Sequence, residues 1–214
     1  MMEIRTTGLH WGVLLIFLVS SFFVGPVFGP SLTVQMISLT LFDVAIVGAA
    51  IAAFKDPRAR TVGIVIAIVW LIASLVALNV GAFQTLALVL TGVMLLAALW
   101  ITFQVLLNQT TGNLEALLGA IFGYLLLAMA WAMLYLHILR LDNDAIQMAL
   151  DSDIWSSVVY YSIVTITSLG YGDILPISPL ARMVAGFEAI VGVLYIAIMI
   201  GSIVGKFQTP DNGD

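Results

Sequence analysis

Six stretches of this chain are apolar over about the length that a bilayer demands, and that feature decides most of what the chain can fold into. A helix needs about 20 mainly apolar residues to cross a hydrocarbon core. Residues 11–29, 32–54, 61–80, 84–107, 114–139 and 179–206 each read as such a span. The breaks between them have recognisable chemistry. Residues 26–30 carry two prolines and a glycine, 55–60 (K-D-P-R-A-R) form a charged loop, and 108–113 (N-Q-T-T-G-N) form a polar linker. The break at Gly81 is weaker, marked only by Asn79, Gln84 and Thr85. All six prolines, at 26, 30, 57, 176, 179 and 210, fall in or beside the expected loops.

Composition identifies the solvent. Of 214 residues, 62% are hydrophobic and 9% charged, against roughly 45–50% and about 25% in a soluble domain. Too few charges exist to coat a water-facing surface, so an ordinary soluble enzyme is excluded. The net charge of −5 leaves no basic face for nucleic acid. With no cysteine there are no disulfides, thiol nucleophiles or cysteine metal sites. No metal-binding histidine pair, nucleophile elbow or phosphate loop appears, so no enzyme chemistry is expected. His10 and His137 are isolated near span ends and are not read as metal ligands. The run after Arg5 is read as a retained helix rather than a signal peptide, because it is long and lacks a small-residue cleavage site.

Residues 140–178 do not fit a simple span. An acidic loop from Arg140 to Asp153 precedes an apolar stretch at 154–167 that is too short to cross. A glycine-rich segment and a turn at 176–179 come next. A short apolar stretch between two full spans reads as re-entrant. Irregular backbone at membrane depth is tolerated only where protein buries it or where it lines a water-filled pathway. The expected fold is therefore an all-α membrane protein with six transmembrane helices, and a re-entrant pore helix between helices 5 and 6.

Residues 165–173 read T-I-T-S-L-G-Y-G-D. This segment resembles the potassium-channel family, whose filter signature is T-x-T-T-V-G-Y-G-D. The resemblance extends over about residues 114–206. It implies a selectivity filter made of Thr167, Ser168, Leu169, Gly170, Tyr171, Gly172 and Asp173. K⁺ would be the permeant ligand, bound at Ser168, Leu169, Gly170 and Tyr171, with Gly172 and Asp173 closing the outer mouth. Glycine can take backbone angles that a side chain forbids, which lets successive carbonyls point one way and replace the hydration shell of K⁺. Tyr160 and Tyr161 fall where the family braces the filter from behind, and Thr165 opens the motif. Pro176 and Arg182 match the family's post-filter loop and last helix, and Ser178 with Pro179 reads as a helix start. Ser168 and Leu169 stand where the family usually has threonine and valine. Losing β-branching at both is expected to loosen the innermost ion site.

The resemblance implies a homotetramer in the cell membrane, since one filter segment supplies a quarter of each oxygen ring. It places the filter outside and both termini in the cytoplasm. Arg5, Lys55, Arg58, Arg60 and Lys206 then lie inside, with only Arg140 and Arg182 outside, as the positive-inside rule expects. The outer acidic residues Asp142, Asp144, Asp151 and Asp153 would concentrate cations at the mouth, or merely solvate a loop. Residues 1–110 are read as a four-helix membrane domain lacking gating charges, 111–207 as the pore domain and 208–214 as a short cytoplasmic tail. With eight residues after Lys206, no nucleotide- or calcium-binding domain is expected there. One gating charge moved through 100 mV supplies only about 2.3 kcal/mol, so steep voltage gating needs several. Residues 84–107 carry none. The gating stimulus is left among lipid, tension, pH and a separate ligand or protein. A non-conducting accessory subunit and a weakly selective cation channel stand as alternatives; a transporter built from degenerate hairpins fits poorly, because a single intact G-Y-G is present.

Several further residues stand out. Asp43 is the only charge well inside the first four helices, and its role is structural or proton- or ligand-sensing. Glu188 is expected behind the filter, bonding the pore helix or a neighbouring subunit. Gly119 with Gly123, and Gly201 with Gly205, are spaced for close helix packing. Gly192, Gly201 and Gly205 are also candidates for movement of an inner gate. Trp11 and Trp155 read as interfacial anchors.

Overall fold

The computed structural model describes residues 11–29, 31–53, 61, 64–65, 68–73, 84–108, 112–148 and 153–207. Readings that rest on Arg5, His10, Pro30, Lys55, Pro57, Arg58, Arg60, Asn79, Gly81, Asp151, Pro210 and the tail 208–214 lie outside the described residues. So does most of the expected span 61–80, which is helical where it is described.

The chain is mostly helical. Its elements run α1 (Trp11–Phe28), α2 (Leu32–Ala53), α3 (Gln84–Leu107), α4 (Leu114–Leu141), β1 (Ile146–Gln147), α5 (Ile154–Ile166), β2 (Leu175–Pro176) and α6 (Pro179–Tyr195). A π-helical segment, Ile196–Ile200, joins α6 to α7 (Gly201–Phe207). Among the described residues, four helices are long and apolar enough to cross a membrane: Trp11–Phe28, Val89–Leu107, Leu114–Leu141 and Pro179–Lys206. Shorter apolar helices lie at Thr33–Ala49, within α2, and at Ile154–Ile166.

α1 ends within one residue of the expected span 11–29, but the turn expected at 26–30 starts later than read. Pro26 lies inside the helix, which runs on to Phe28. A proline near a C-terminus removes one helical hydrogen bond without stopping the helix. The stop comes at Gly29, whose φ of 82° only glycine adopts readily and whose N–H reaches the Gly25 carbonyl at 2.9 Å.

Trp11 is a core residue rather than an interfacial anchor. It is 1% exposed, with its ring 5.5 Å from that of Phe122. Its indole lies over Gly119, where a Cβ would come within 3.0 Å. Its backbone N–H donates to Glu115 in the first turn of α4, at 2.9 Å. The start of α1 is thus fastened to α4 by a carboxylate and a ring, a long-range pairing that no local pattern reports. Trp155 is more exposed, at 37%.

Gly123 seats a second aromatic. The Tyr195 hydroxyl donates to the Ala120 carbonyl at 2.8 Å, and a Cβ at 123 would stand 2.6 Å from that oxygen. Gly123→Ala is expected to displace the hydroxyl and cost about 1–3 kcal/mol. A lowered thermal midpoint of the purified protein in detergent checks this; an unchanged midpoint refutes it.

Two features carry no signal in the sequence. The last span is not one uniform helix, because the π segment interrupts it. The loops flanking α5 and the glycine-rich segment carry a two-residue antiparallel ladder, Ile146 opposite Pro176 and Gln147 opposite Leu175. The amides of Ile177 and Ser178 both reach the Ala145 carbonyl, at 2.8 and 3.1 Å. These bonds tie the loop before α5 to the loop after the glycine-rich segment.

Candidate functional site

The site is built around α5. Asp153 caps its start, accepting from the Ser156 amide at 3.0 Å and the Ser156 hydroxyl at 2.7 Å. Asp142 ends α4 and accepts from the Asp144 amide at 3.2 Å. Asp142 and Asp153, in the loop between α4 and α5, therefore have local bonding duties.

The C-terminal end of α5 sets the course of the glycine-rich segment. The last four carbonyls of a helix have no partner within it, and here each finds one. Ile163 accepts from the Thr167 amide and hydroxyl, at 3.2 and 2.7 Å. Val164 accepts from the amides of Leu169 and Gly170, at 2.9 and 3.2 Å, and Thr165 from that of Ser168, at 2.9 Å. Ile166 accepts from the Tyr124 hydroxyl of α4 at 2.8 Å. Residues 167–170 are thus folded back onto the end of the short helix.

From there the backbone alternates. Ser168, Gly170 and Gly172 have φ of 58°, 54° and 80°, so every second residue is left-handed. In an ordinary strand successive residues face opposite sides. Reversing the handedness at each second residue cancels that flip and allows successive carbonyls to share one side. Two of the three positions are glycine, where positive φ costs little. Ser168 carries the strain of about 1–2 kcal/mol that an L-residue meets there. The segment is exposed on this chain from Thr167 to Asp173.

Side chains hold the segment from both flanks. The Tyr160 hydroxyl donates to Asp173 at 2.8 Å, joining α5 to the far end of the glycine-rich run. Tyr161 points elsewhere and packs edge-on against Tyr135 of α4, with ring centroids 4.8 Å apart. The two tyrosines therefore divide their work: one reaches the segment, the other packs α5 onto α4. Ser178 caps α6 by accepting from the Ala181 amide at 3.2 Å, with Pro179 in its first turn. Arg182 Nε donates to the Pro176 carbonyl at 3.1 Å.

Beneath the segment, α6 approaches closely. Glu188 is fully buried and contacts the Ser162 hydroxyl of α5 and the Tyr135 hydroxyl of α4. Four residues on, Gly192 meets the α5 terminus, where a Cβ would lie 2.0 Å from the Ile166 carbonyl oxygen. The structure thus gathers Tyr160, Thr165, residues 167–173, Glu188 and Gly192 around one helix end. Gly201 and Gly205 stand apart, with nothing within 4 Å of a built Cβ. Asp43 is also apart, 4% exposed in α2 with its Oδ1 unpaired. Tyr124, Tyr135 and Ser162 are site residues that no sequence motif marks. The available signal was a hydroxyl inside an apolar helix, which must find a partner when buried.

Residues 119–209 match the family model described as an ion channel. The match takes in most of α4 together with α5, the glycine-rich segment, α6 and α7. Among curated proteins, the chain is 41% identical over 49 residues to the potassium voltage-gated channel protein shk-1 of Caenorhabditis elegans, covering 23% of this chain and 9% of that one. It is 32% identical over 59 residues to the inward rectifier potassium channel Kirbac3.1 of Paramagnetospirillum magnetotacticum, covering 28% and 20%. It is 24% identical over 90 residues to a voltage-gated potassium channel of Aeropyrum pernix, covering 41% and 28%. The chain thus spans well under a third of the length of these relatives. No solved structure matches it. The family and the relatives are those of an ion channel, not of an enzyme.

Proposed function

We propose, from the premise that residues 119–209 are a domain of the ion-channel family whose relatives include potassium channels, that this chain forms a homotetrameric K⁺-selective pore in the cell membrane. The observation that carries the reading is the left-handed φ at 168, 170 and 172. Four such segments around an axis would present rings of carbonyl oxygens from Ser168, Leu169, Gly170 and Tyr171, with the Ser168 hydroxyl at the inner end. Gly172 and Asp173 would form the outer mouth, with Asp173 steadied by Tyr160. Conduction is passive: K⁺ sheds water, moves between oxygen rings and runs down its gradient, and no bond is made or broken. The C-terminal dipole end of α5 would favour a cation in the cavity beneath.

In this reading the chain crosses six times, with α5 as the re-entrant pore helix and both termini cytoplasmic. Residues 1–110 form a four-helix domain, and α3 within it has no charge to move. Gating is therefore not steeply voltage-dependent. The candidate stimuli are lipid, tension, protons and a separate ligand or protein, with Asp43, Gly192, Gly201 and Gly205 as the candidate positions.

The test is a planar-bilayer recording of purified protein with K⁺ on one side and Na⁺ on the other. The expected result is a reversal potential close to the K⁺ limit and an open probability nearly flat with voltage. A reversal near zero would replace the selective pore with a weakly selective cation channel. Silence in demonstrably incorporated tetramers, under the candidate stimuli, would favour a non-conducting accessory role.

Ser168→Thr provides a finer probe. The added methyl stiffens the side chain, so the innermost site is expected to tighten. Block by internal barium should strengthen and unitary conductance should change. If both stay as they were, Ser168 is a neutral variation.

A further inference from the structure

Three short oxygen–oxygen contacts meet at the junction of α4, α5 and α6, and only two hydroxyl protons are present to fill them. The Tyr135 hydroxyl donates to Glu188 Oε2 at 2.5 Å. The Ser162 hydroxyl lies 2.6 Å from the Ala128 carbonyl oxygen and also against Glu188 Oε1. A serine hydroxyl has one proton to give and can otherwise only accept. A backbone carbonyl and an ionised carboxylate are both acceptors, so Ser162 would leave one of those contacts as two lone-pair oxygens pressed together. A proton on Glu188 resolves the count: the carboxyl donates to Ser162, Ser162 donates to Ala128, and Tyr135 donates to the remaining carboxyl oxygen.

We propose that Glu188 is held as a neutral carboxylic acid that donates to Ser162, making it a proton-dependent latch that fixes α6 to α5 across α4. Burial supports this, because Glu188 is 0% exposed within one chain and an isolated buried carboxylate is strongly disfavoured. Among the described residues, the titratable groups that face it are Tyr135 and Tyr124 of α4 and Tyr161 of α5. On its own helix, Arg182 lies six residues earlier and binds the Pro176 carbonyl. The groups facing Glu188 are thus phenols, which supply hydrogen bonds but no positive charge.

The latch sits directly behind the segment 167–173, since Ser162 is on the helix whose end that segment caps. Glu188 is accordingly a positioning residue. Removing its proton breaks the donated bond and leaves two acceptors facing each other. The expected consequence is loss of the conducting arrangement at alkaline pH, which rests on the reading of 167–173 as the filter. The protonation state itself does not rest on that reading.

The test begins with infrared spectroscopy of purified, reconstituted protein in which glutamate carries a ¹³C carboxyl. The chain has three glutamates, Glu3, Glu115 and Glu188. The expected result at neutral pH is a carboxylic-acid C=O band that shifts with the label, persists in Glu115→Gln and disappears in Glu188→Gln. Absence of any label-sensitive acid band at neutral pH overturns the proposal, even should a variant fail to fold. In recordings, Glu188→Gln keeps both a donor and an acceptor, so it is expected to conduct as the parent does and to lose the alkaline decline. Glu188→Ala is expected to lose conduction at every pH. An alkaline decline that survives in Glu188→Gln overturns the latch. A channel that never conducts while the acid band is present retains the latch and refutes the pore reading instead.

Discussion

Gly192→Ala is expected to abolish conduction and destabilise the protein, although alanine is the better helix former. Within a helix, glycine to alanine ordinarily stabilises by about 1 kcal/mol. At 192 the new Cβ would stand 2.0 Å from the Ile166 carbonyl oxygen and 2.9 Å from its carbonyl carbon. Both are backbone atoms, so no side-chain rotation relieves the clash, and α5 and α6 must separate by more than an ångström. That movement also strains the bond from Tyr124 to the same carbonyl. Overpacking a dense interior costs about 1–3 kcal/mol, and more where backbone is struck, so the upper end is expected here. Gly201→Ala is the control, since nothing lies within 4 Å of its built Cβ. It should hold or raise the thermal midpoint by the helix-propensity gain. Opposite signs for the two substitutions are the expected result. Equal, small effects would show that α5 and α6 are not packed as described. If Gly201→Ala alters open probability while leaving unitary conductance intact, the inner gate bends there.

What the sequence makes legible depends on the range of the interaction. Spans are legible because apolar length is a local property: α3 begins and ends where the apolar run does, at Gln84 and Leu107. The start of α6 is legible because capping needs only adjacent residues, Ser178 and Pro179. The end of α1 is legible to within a residue, the expected span 11–29 closing at Phe28, but the turn expected from residue 26 begins only at Gly29, because proline signals a break and the helix tolerates Pro26. Trp11 is misread for a different reason. A tryptophan at a span end looks the same in sequence whether lipid or Gly119 receives it, and only the partner 108 residues away distinguishes the two. The buried junction at Glu188 is half legible: the acid stands out in an apolar helix, whereas its partners Tyr135 and Ser162 are ordinary residues made significant by contact. The π segment Ile196–Ile200 has no signal at all, since I-A-I-M-I would suit a regular helix equally well.

Gly170→Ala and Gly172→Ala are expected to eliminate selective K⁺ current while leaving the rest of the fold in place. Their φ angles of 54° and 80° lie where an L-residue is strained by about 1–2 kcal/mol. In a tetramer the strain repeats in every subunit, so one substitution accumulates about 4–8 kcal/mol against the left-handed arrangement. At 1.36 kcal/mol for each factor of ten, that disfavours the conducting backbone by about a thousandfold or more. The cheapest escape is for residue 170 or 172 to return to negative φ, which turns a carbonyl away from its neighbours and breaks one oxygen ring. Ser168 bears similar strain already, so little tolerance for a second strained position in the same run is left. Gly29→Ala separates this mechanism from plain destabilisation. It meets the same penalty at a φ of 82°, but at the end of α1. It should lower the thermal midpoint and leave the reversal potential under K⁺/Na⁺ gradients unchanged. If Gly170→Ala and Gly172→Ala behave as Gly29→Ala does, with stability reduced and selectivity intact, the alternating backbone is not what selects the ion. A shift of reversal toward zero, or loss of current in tetramers that still assemble, ties selectivity to the handedness of these residues.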